Sequence, residues 1–243
     1  MKIYKSYTVH NQAYESNINA DLPEKFRADG YKEVEKMVQE DPKKIIIRNG
    51  LMYPHINIGV DVGSGHGWLT EYFAMMCGYK KIFAIEPSKA AVEEAQRQAA
   101  SSGWMYKTEC EVHWIHAFAE DYLRSKEFAA EMSRINEPVH FWFSFVLTHL
   151  PHDIAASICQ AINDVAPPGS VISFEEVWTA WFGNYESATG CWYVRTEEWW
   201  RSHFPGWTGT FNKLYHAGGG QSPWDAGEPA KQFKSFTLVN DTR

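Results

Sequence analysis

The sequence predicts an α/β protein: a doubly wound, mostly parallel seven-stranded sheet with helices on both faces, an antiparallel C-terminal hairpin and a helical N-terminal cap. Three observations carry this expectation. From residue 56 onward, short apolar runs alternate with stretches of helical period, the pattern of a parallel sheet whose crossovers are helices. The run from Val139 to Leu147 is apolar almost throughout, as a strand covered on both faces should be. The third is Asp61-Val62-Gly63-Ser64-Gly65-His66-Gly67, a glycine cluster placed where a strand gives way to a helix.

Each element has its own signal. Residues 1–50 are polar and carry helix marks. Leu22-Pro23-Glu24-Lys25 opens one helix and Asp29-Gly30 breaks it. Tyr31 to Glu40 sets Val34, Met37 and Val38 on one stripe, and Asp41-Pro42 stops it. This segment is expected to be a cap or lid, leaving 51–243 as the main domain. Ile56 to Gly63 reads as a strand. Trp68 to Cys77 reads as a helix, since Leu69, Tyr72, Phe73 and Met76 follow the 3.6-residue period, and Gly78 ends it. Lys81 to Glu86 is a second strand. Pro87-Ser88 turns into an alanine-rich helix reaching Ala100, closed by Ser101-Ser102-Gly103. Glu111 to Ala117 is a third strand and Val139 to Leu147 a fourth. Asp153 to Val165 is a helix stopped by Pro167-Pro168-Gly169, and Val171 to Phe174 begins a fifth strand. Beyond Trp178 the alternation fails. Thr208 to Tyr215 and Gln232 to Val239 are strand-like, and the Gly/Pro-rich stretch from Ala217 to Pro229 joins them, which predicts a hairpin on the sheet edge.

Composition narrows the partners. The chain has 243 residues, 44% apolar and 22% charged, enough for one domain with a modest extension and a core that needs no staple. Lys and Arg total 23 against 30 Asp and Glu, a net charge of −7. That balance gives no long-range attraction to phosphate backbones or anionic lipid. No nucleic acid and no membrane is therefore expected as a partner, and the protein is expected to be a monomer or homodimer. The longest nearly uncharged stretch, Pro138 to His152, is too short and polar to cross a bilayer. Met1-Lys2-Ile3-Tyr4-Lys5 runs into polar sequence without a secretory apolar region. Cys77, Cys110, Cys159 and Cys191 are far apart, and no CxxC pair or zinc-finger histidine spacing occurs. The expectation is a reduced cytoplasmic protein without a metal site.

The glycine cluster is the strongest local signal. Glycines at alternate positions permit positive φ and a close approach of main chain to a ligand. A helix starting near Gly67 would direct N–H groups at an anion, and open parallel sheets bind ligands at the carboxyl ends of their strands. The dinucleotide pattern G-x-G-x-x-G fails because Trp68 stands where the third glycine should be, and a P-loop fails because no Lys follows. Glu86 ends the second strand about 20 residues on, where a carboxylate can accept both hydroxyls of a ribose.

Alternate glycines after an acid resemble motif I of the class I S-adenosylmethionine-dependent methyltransferases, and the resemblance extends over roughly residues 56–178. Phe118-Ala119-Glu120-Asp121 is similar to the family's segment after strand three, where the adenine sits. Many members carry an acid at the position of Phe118. Here the resemblance implies stacking or edge contact by Phe118, main-chain help from Ala119 and a side-chain contact from Glu120 or Asp121. Ser144-Phe145-Val146-Leu147-Thr148-His149-Leu150 resembles the stretch that ends strand four, and Pro167-Pro168-Gly169 the turn before strand five. The implied cofactor is S-adenosyl-L-methionine, released as S-adenosyl-L-homocysteine. Its implied contacts are Asp61, Gly63, Ser64, Gly65, Gly67, Glu86, Pro87, Phe118, Ala119, Glu120, Ser144 and Phe145.

The resemblance also implies a reaction. The family holds a sulfonium beside a substrate pocket, and in-line displacement at its methyl is mostly a matter of positioning. A base is needed only where the acceptor must lose a proton. His149, just past strand four, is the candidate base, with a structural packing role as the alternative. His66 could touch the methionine end of the cofactor or face solvent, and His152 reads as an exposed helix start. Glu175 and Glu176 lie near the expected substrate site, where one could hold an amine or both could be solvated acids. Six of the eleven tryptophans fall between Trp178 and Trp207. Trp178, Trp181 and Tyr185 in this segment, 178–207, are expected to cover substrate and attract a cation with their ring faces, the alternative being a hydrophobic cap or dimer surface. Tyr7 and Tyr14, with Tyr4, His10 and Asn11, could close over the site as a lid.

The leading expectation is a methyltransferase of small-molecule or secondary metabolism. A second is a cyclase of the same fold, whose intramolecular displacement gives azetidine-2-carboxylate and methylthioadenosine. A third is a cofactor-binding regulatory or scaffold protein without chemistry. Protein and nucleic-acid methylation are disfavoured, because Ser144-Phe145-Val146-Leu147 stands where an N-P-P-Y-like run would be.

Overall fold

The computed structural model describes residues 55–102, 108–144, 146–178, 183–187, 190–213 and 232–241. The expected cap at 1–50 with Tyr7 and Tyr14, and also Phe145 and Trp181, lie outside the described residues, as do the side chains of Glu175, Trp178 and Tyr185.

The first five strands alternate with helices: β1 (Ile58–Val62), α1 (Trp68–Met76), β2 (Lys81–Glu86), α2 (Lys89–Ser102), β3 (Glu111–His116), α3 (Ala119–Leu123), α4 (Lys126–Ile135), β4 (Val139–Ser144), a 3-10 turn (Leu147–His149), α5 (His152–Val165) and β5 (Val171–Trp178). Then follow β6 (Gly183–Ser187), β7 (Gly190–Val194), α6 (Glu197–His203), β8 (Trp207–Lys213) and β9 (Gln232–Asn240). The main sheet runs β3-β2-β1-β4-β5-β9-β8. Strands β1 to β5 are parallel, and β9 lies antiparallel to both β5 and β8. The seven-stranded, doubly wound sheet and its antiparallel C-terminal hairpin are thus as the sequence predicts, with β9 as the inner member. Strands β6 and β7 form a separate two-stranded ribbon.

Alternation along each strand divides the interior into two layers. Ile58, Val60 and Val62 of β1, with Phe83, Phe141, Phe143 and Phe174, form one core against Leu123, Phe128 and Ile158 of α3, α4 and α5. Phe143 stacks on Phe174 at 4.8 Å between ring centroids. Burying each such ring is worth roughly 1.5–3 kcal/mol. The other face carries Ile82, Trp142 and Val171 against Leu69, Tyr72 and Phe73 of α1 and Ala99 of α2. The Trp142 ring packs against Gly59 of β1, where a Cβ would fall 2.5 Å from it. A buried polar chain crosses this second layer. The Tyr79 hydroxyl meets His140 Nδ1 at 2.5 Å, and His140 Nε2 meets Ser173 Oγ at 2.7 Å. Burial pushes His140 down to about 3, so the ring is neutral and supplies one donor and one acceptor.

Three features depart from the sequence reading. The fourth strand stops at Ser144 rather than Leu147, because the apolar run turns inward and Leu147 is buried on the 3-10 turn. Helices α3 and α4 fill the interval before β4. The cap of α4 is formed by Ser125, whose Oγ accepts from Phe128 N at 3.0 Å, and Asn136 closes it at φ 46°. Helix α6 lies in the tryptophan-rich segment, begun by Thr196, whose Oγ1 accepts from Trp199 N at 3.2 Å. Its Trp200 is fully buried against the first core layer, and Trp207 of β8 is buried there too. These two tryptophans follow the hydrophobic-cap reading rather than the pocket reading.

Candidate cofactor and active site

Strand β1 has β2 on one side and β4 on the other, so the direction of winding reverses at its edge. The crevice at the carboxyl ends of β1 and β4 is therefore the topological switch point, where open α/β sheets bind ligands. The glycine loop leaves β1 there and enters α1 through Gly67, which caps the helix without any side-chain hydrogen bond.

The loop is tied to the exit of β2. Gly63 N and Ser64 N both donate to the Ile85 carbonyl, at 2.8 and 3.0 Å. Gly65 N donates to Glu86 Oε2 at 3.0 Å, and Ser88 N donates to Glu86 Oε1 at 2.9 Å. Gly67 N donates to the Ser64 carbonyl at 2.9 Å. The exit of β3 joins the same knot, because Ala117 N donates to the Glu86 carbonyl at 3.2 Å. That bond brings the Phe118 segment beside Glu86. Phe118 is the extended residue capping α3, half-buried against the core, and Ala119 behind it is buried.

Burial sets the electrostatics. The Glu86 carboxyl is pushed up to about 7 by loss of solvent, against the downward pull of the Ser88 and Gly65 amides. Each of its oxygens receives one N–H and retains further acceptor capacity. Asp61 lies buried under the loop, where its Oδ2 accepts from Thr70 Oγ1 at 2.6 Å. Burial raises it to about 7 as well. The Thr70 hydroxyl and the Trp142 indole N–H, which leans towards it without reaching hydrogen-bond geometry, oppose the rise, and the nearby Glu86 adds to it. Asp61 thus braces the start of α1 from beneath. His66 on the loop is half-buried. Desolvation lowers its pKa, opposed by the charge of Glu94 on α2.

Two of the glycines make room for protein. Gly63 has φ 75°, and a Cβ there would meet Val146 Cγ2 at 2.4 Å. Gly67 has φ 78°, and a Cβ there would meet the Trp114 ring at 2.4 Å. Both positions require the left-handed backbone and an absent side chain. The expectation of space for a ligand at all three glycines is refined accordingly: Val146 and Trp114 fill two of the three positions. Ser64 Oγ between them is buried and has no hydrogen-bond partner among the described residues, an orphaned hydroxyl at the switch point.

The remaining predicted residues fall around this knot. Pro87 directly follows Glu86. Ser144 ends β4, in register with Glu175 of β5. His149 is the last residue of the 3-10 turn after β4, half-buried, its N–H donated to the Val146 carbonyl at 3.0 Å. His152 begins α5 and packs edge-on against Tyr193 at 5.4 Å. Sequence reasoning passed over Val146, Trp114 and Arg195. Val146 reads as one more apolar residue of a strand, Trp114 as ordinary strand alternation, and Arg195 carries no motif. Among the described residues no cluster of His, Cys, Asp and Glu could hold a metal ion, and no helix is long and apolar enough to cross a membrane.

The switch-point crevice, the glycine loop and the acid at the end of β2 define a Rossmann-like α/β architecture. Residues 60–169 match the family model described as a methyltransferase domain. Particular solved structures share the fold. DhpI, solved as a complex with SAH, is 12% identical over the whole of both chains with a TM-score of 0.56. The Burkholderia thailandensis 1,6-didemethyltoxoflavin-N1-methyltransferase, solved with 1,6-didemethyltoxoflavin and S-adenosylhomocysteine, is 14% identical over 90% of this chain and 91% of that one, TM-score 0.56. The magnesium protoporphyrin IX methyltransferase of Synechocystis PCC 6803, solved with SAM, is 13% identical over 98% of each chain, TM-score 0.53. At these identities the likeness is one of fold. No curated protein matches the chain.

Proposed function

We propose that this protein transfers the methyl group of S-adenosylmethionine to a small-molecule metabolite. The observation that carries the reading is the knot at the switch point: a glycine loop pinned to the buried Glu86 carboxylate, with the orphaned Ser64 hydroxyl beside it. The residues present fit the adenosyl group. Glu86 has acceptor capacity left for the ribose hydroxyls, Ser64 Oγ has a hydrogen bond to give, and Phe118 stands next to Glu86 to meet the adenine. Asp61 and Glu120 complete the proposed polar surround, and Gly65, Pro87, Ala119, Ser144 and Phe145 its walls.

When bound, S-adenosylmethionine supplies an electrophilic methyl on a sulfonium. The chain's own contribution is to orient, exclude water and, for a protic acceptor, remove a proton. His149 is placed in that last role because its turn directly follows β4 at the switch point. The aromatic segment after β5, including Trp178, Trp181 and Tyr185, is proposed as substrate cover. Support for a small acceptor comes from the named substrates of the toxoflavin and porphyrin enzymes that share the fold and from the net charge of −7. No observation favours the cyclase reading.

The test is to incubate the pure protein with methyl-labelled S-adenosylmethionine and a cell extract separated by size. Label in the small-molecule fraction, with S-adenosylhomocysteine as the nucleoside product, supports the proposal. Label in protein or nucleic acid, or methylthioadenosine as the product, would overturn it.

A further inference from the structure

Arg195 follows β7 and is 1% exposed. Its Nη1 donates to the Leu147 carbonyl at 2.7 Å and its Nη2 to the Leu150 carbonyl at 2.6 Å, while Nη1 also reaches the Tyr193 carbonyl at 3.3 Å. The guanidinium lies 4.9 Å from the Trp199 ring centroid and 5.8 Å from that of Trp200. One side chain therefore links the ribbon and helix of the tryptophan-rich segment to both ends of the turn that carries His149.

That turn is short. Its own bonds are His149 N to the Val146 carbonyl and Leu150 N to the Leu147 carbonyl, each 3.0 Å, and 3-10 geometry makes such bonds weaker than those of an α-helix. Burying a guanidinium is costly, and an apolar side chain would fill the space between two indoles more cheaply. What only arginine offers is a planar fork that donates to two carbonyls at once with fixed geometry. The same turn begins beside Val146, the residue packed on Gly63 at the exit of β1.

We infer that Arg195 is a positioning residue: its fork fixes the 147–150 turn, and through it His149, relative to the glycine loop, and so couples the aromatic segment to the base. This deepens the reading of His149 given above and rests on it for its catalytic meaning. The structural coupling can be tested separately.

The test compares the full chain with Arg195→Lys, which keeps the charge and loses the fork, and with Arg195→Ala given free guanidinium. Hydrogen exchange at the His149 and Leu150 amides, the His149 ring signal and its titration by NMR, and S-adenosylhomocysteine affinity by calorimetry are read on each. In Arg195→Lys the two amides should exchange about tenfold faster or more, the size expected for losing a charged hydrogen bond, and the His149 signal and titration midpoint should move. S-adenosylhomocysteine affinity should stay within about threefold, as for a site not in direct contact. Guanidinium should restore slow exchange and the His149 signal in Arg195→Ala. Unchanged exchange and an unchanged His149 signal would overturn the inference. So would parallel loss of folding and binding in Arg195→Lys with no rescue of Arg195→Ala, which would make the arginine a general structural strut. Failure of the unaltered protein to bind S-adenosylhomocysteine would sink the functional reading while leaving the exchange comparison intact.

Discussion

The carboxylate of Glu86 accepts the main-chain N–H of Gly65 at 3.0 Å, so the acid that would hold a ribose also holds the loop that would frame it. Removing it acts twice. Glu86→Ala should weaken S-adenosylhomocysteine binding about 10- to 100-fold, the loss of one or two charge-assisted hydrogen bonds. Glu86→Gln keeps one acceptor oxygen, although its NH2 must face the other main-chain N–H, and should lose less than the alanine variant. Calorimetry on both variants checks the order, and equal affinity for all three proteins would remove Glu86 from the site.

Acidity gives a second expectation. Burial lifts Glu86 from its ordinary 4.5 to about 7, so between those values the native state holds a proton that the unfolded chain has released. Stability of the unliganded protein from this group is therefore highest below about 4.5, falls as pH rises towards 7 and is level above. Hydroxyl donors favour the ionised form, so S-adenosylhomocysteine affinity should instead rise from pH 6 to pH 8. Glu86→Gln should reduce both slopes, the share of the stability slope that Asp61 contributes remaining, as read by thermal melts and calorimetry across that range.

Gly63 carries two separable constraints, a left-handed backbone and the 2.4 Å approach of Val146 to the place of a Cβ. Gly63→Ala should destabilise by about 2–4 kcal/mol, combining overpacking with the left-handed penalty. In the double variant with Val146→Ala only the overpacking part should return, leaving about 1–2 kcal/mol from the backbone, alongside the cavity left by Val146. Denaturant titration of the four proteins measures the coupling, and strict additivity would mean that the two residues do not meet.

His149→Ala should lower turnover by about 10²–10⁴-fold if it removes the acceptor's proton, with cofactor affinity little changed. The acceptor identified by labelling provides the assay. Parallel loss of affinity and turnover would assign His149 to packing.

Much of this was readable from residues alone, for reasons that can be named. Strands β1, β2, β4 and β5 announce themselves by apolar runs that a sheet covered on both faces demands and β3 by its alternation, and helices α1, α2 and α5 because each has a stop, α1 adding an apolar stripe and α2 its alanines. The glycine loop and Glu86 are legible because left-handed turns and strand-end acids use few residue types. Helix α4 had a signal in Ser125 and in the spacing of Phe128, Met132 and Ile135, but it is short and lies between stronger elements. What the sequence could not carry is contact between distant residues. Val146 on Gly63, Trp114 on Gly67 and Arg195 on Leu147 are joined by topology, and no local pattern distinguishes them from other apolar or charged residues. The tryptophans of 178–207 show the same limit, since Trp200 serves the core although its segment lacks strand–helix alternation.

The order of the sheet has a consequence for how the chain is made. Strand β9 separates β8 from β5, so β8 leaves the ribosome before the neighbour it pairs with among the described residues exists. Until residues 232–240 emerge, β5 and β8 both lack the partner that β9 supplies. Completion of that half of the molecule is therefore a late event of synthesis, and chaperone occupancy should fall only after β9 has been extruded.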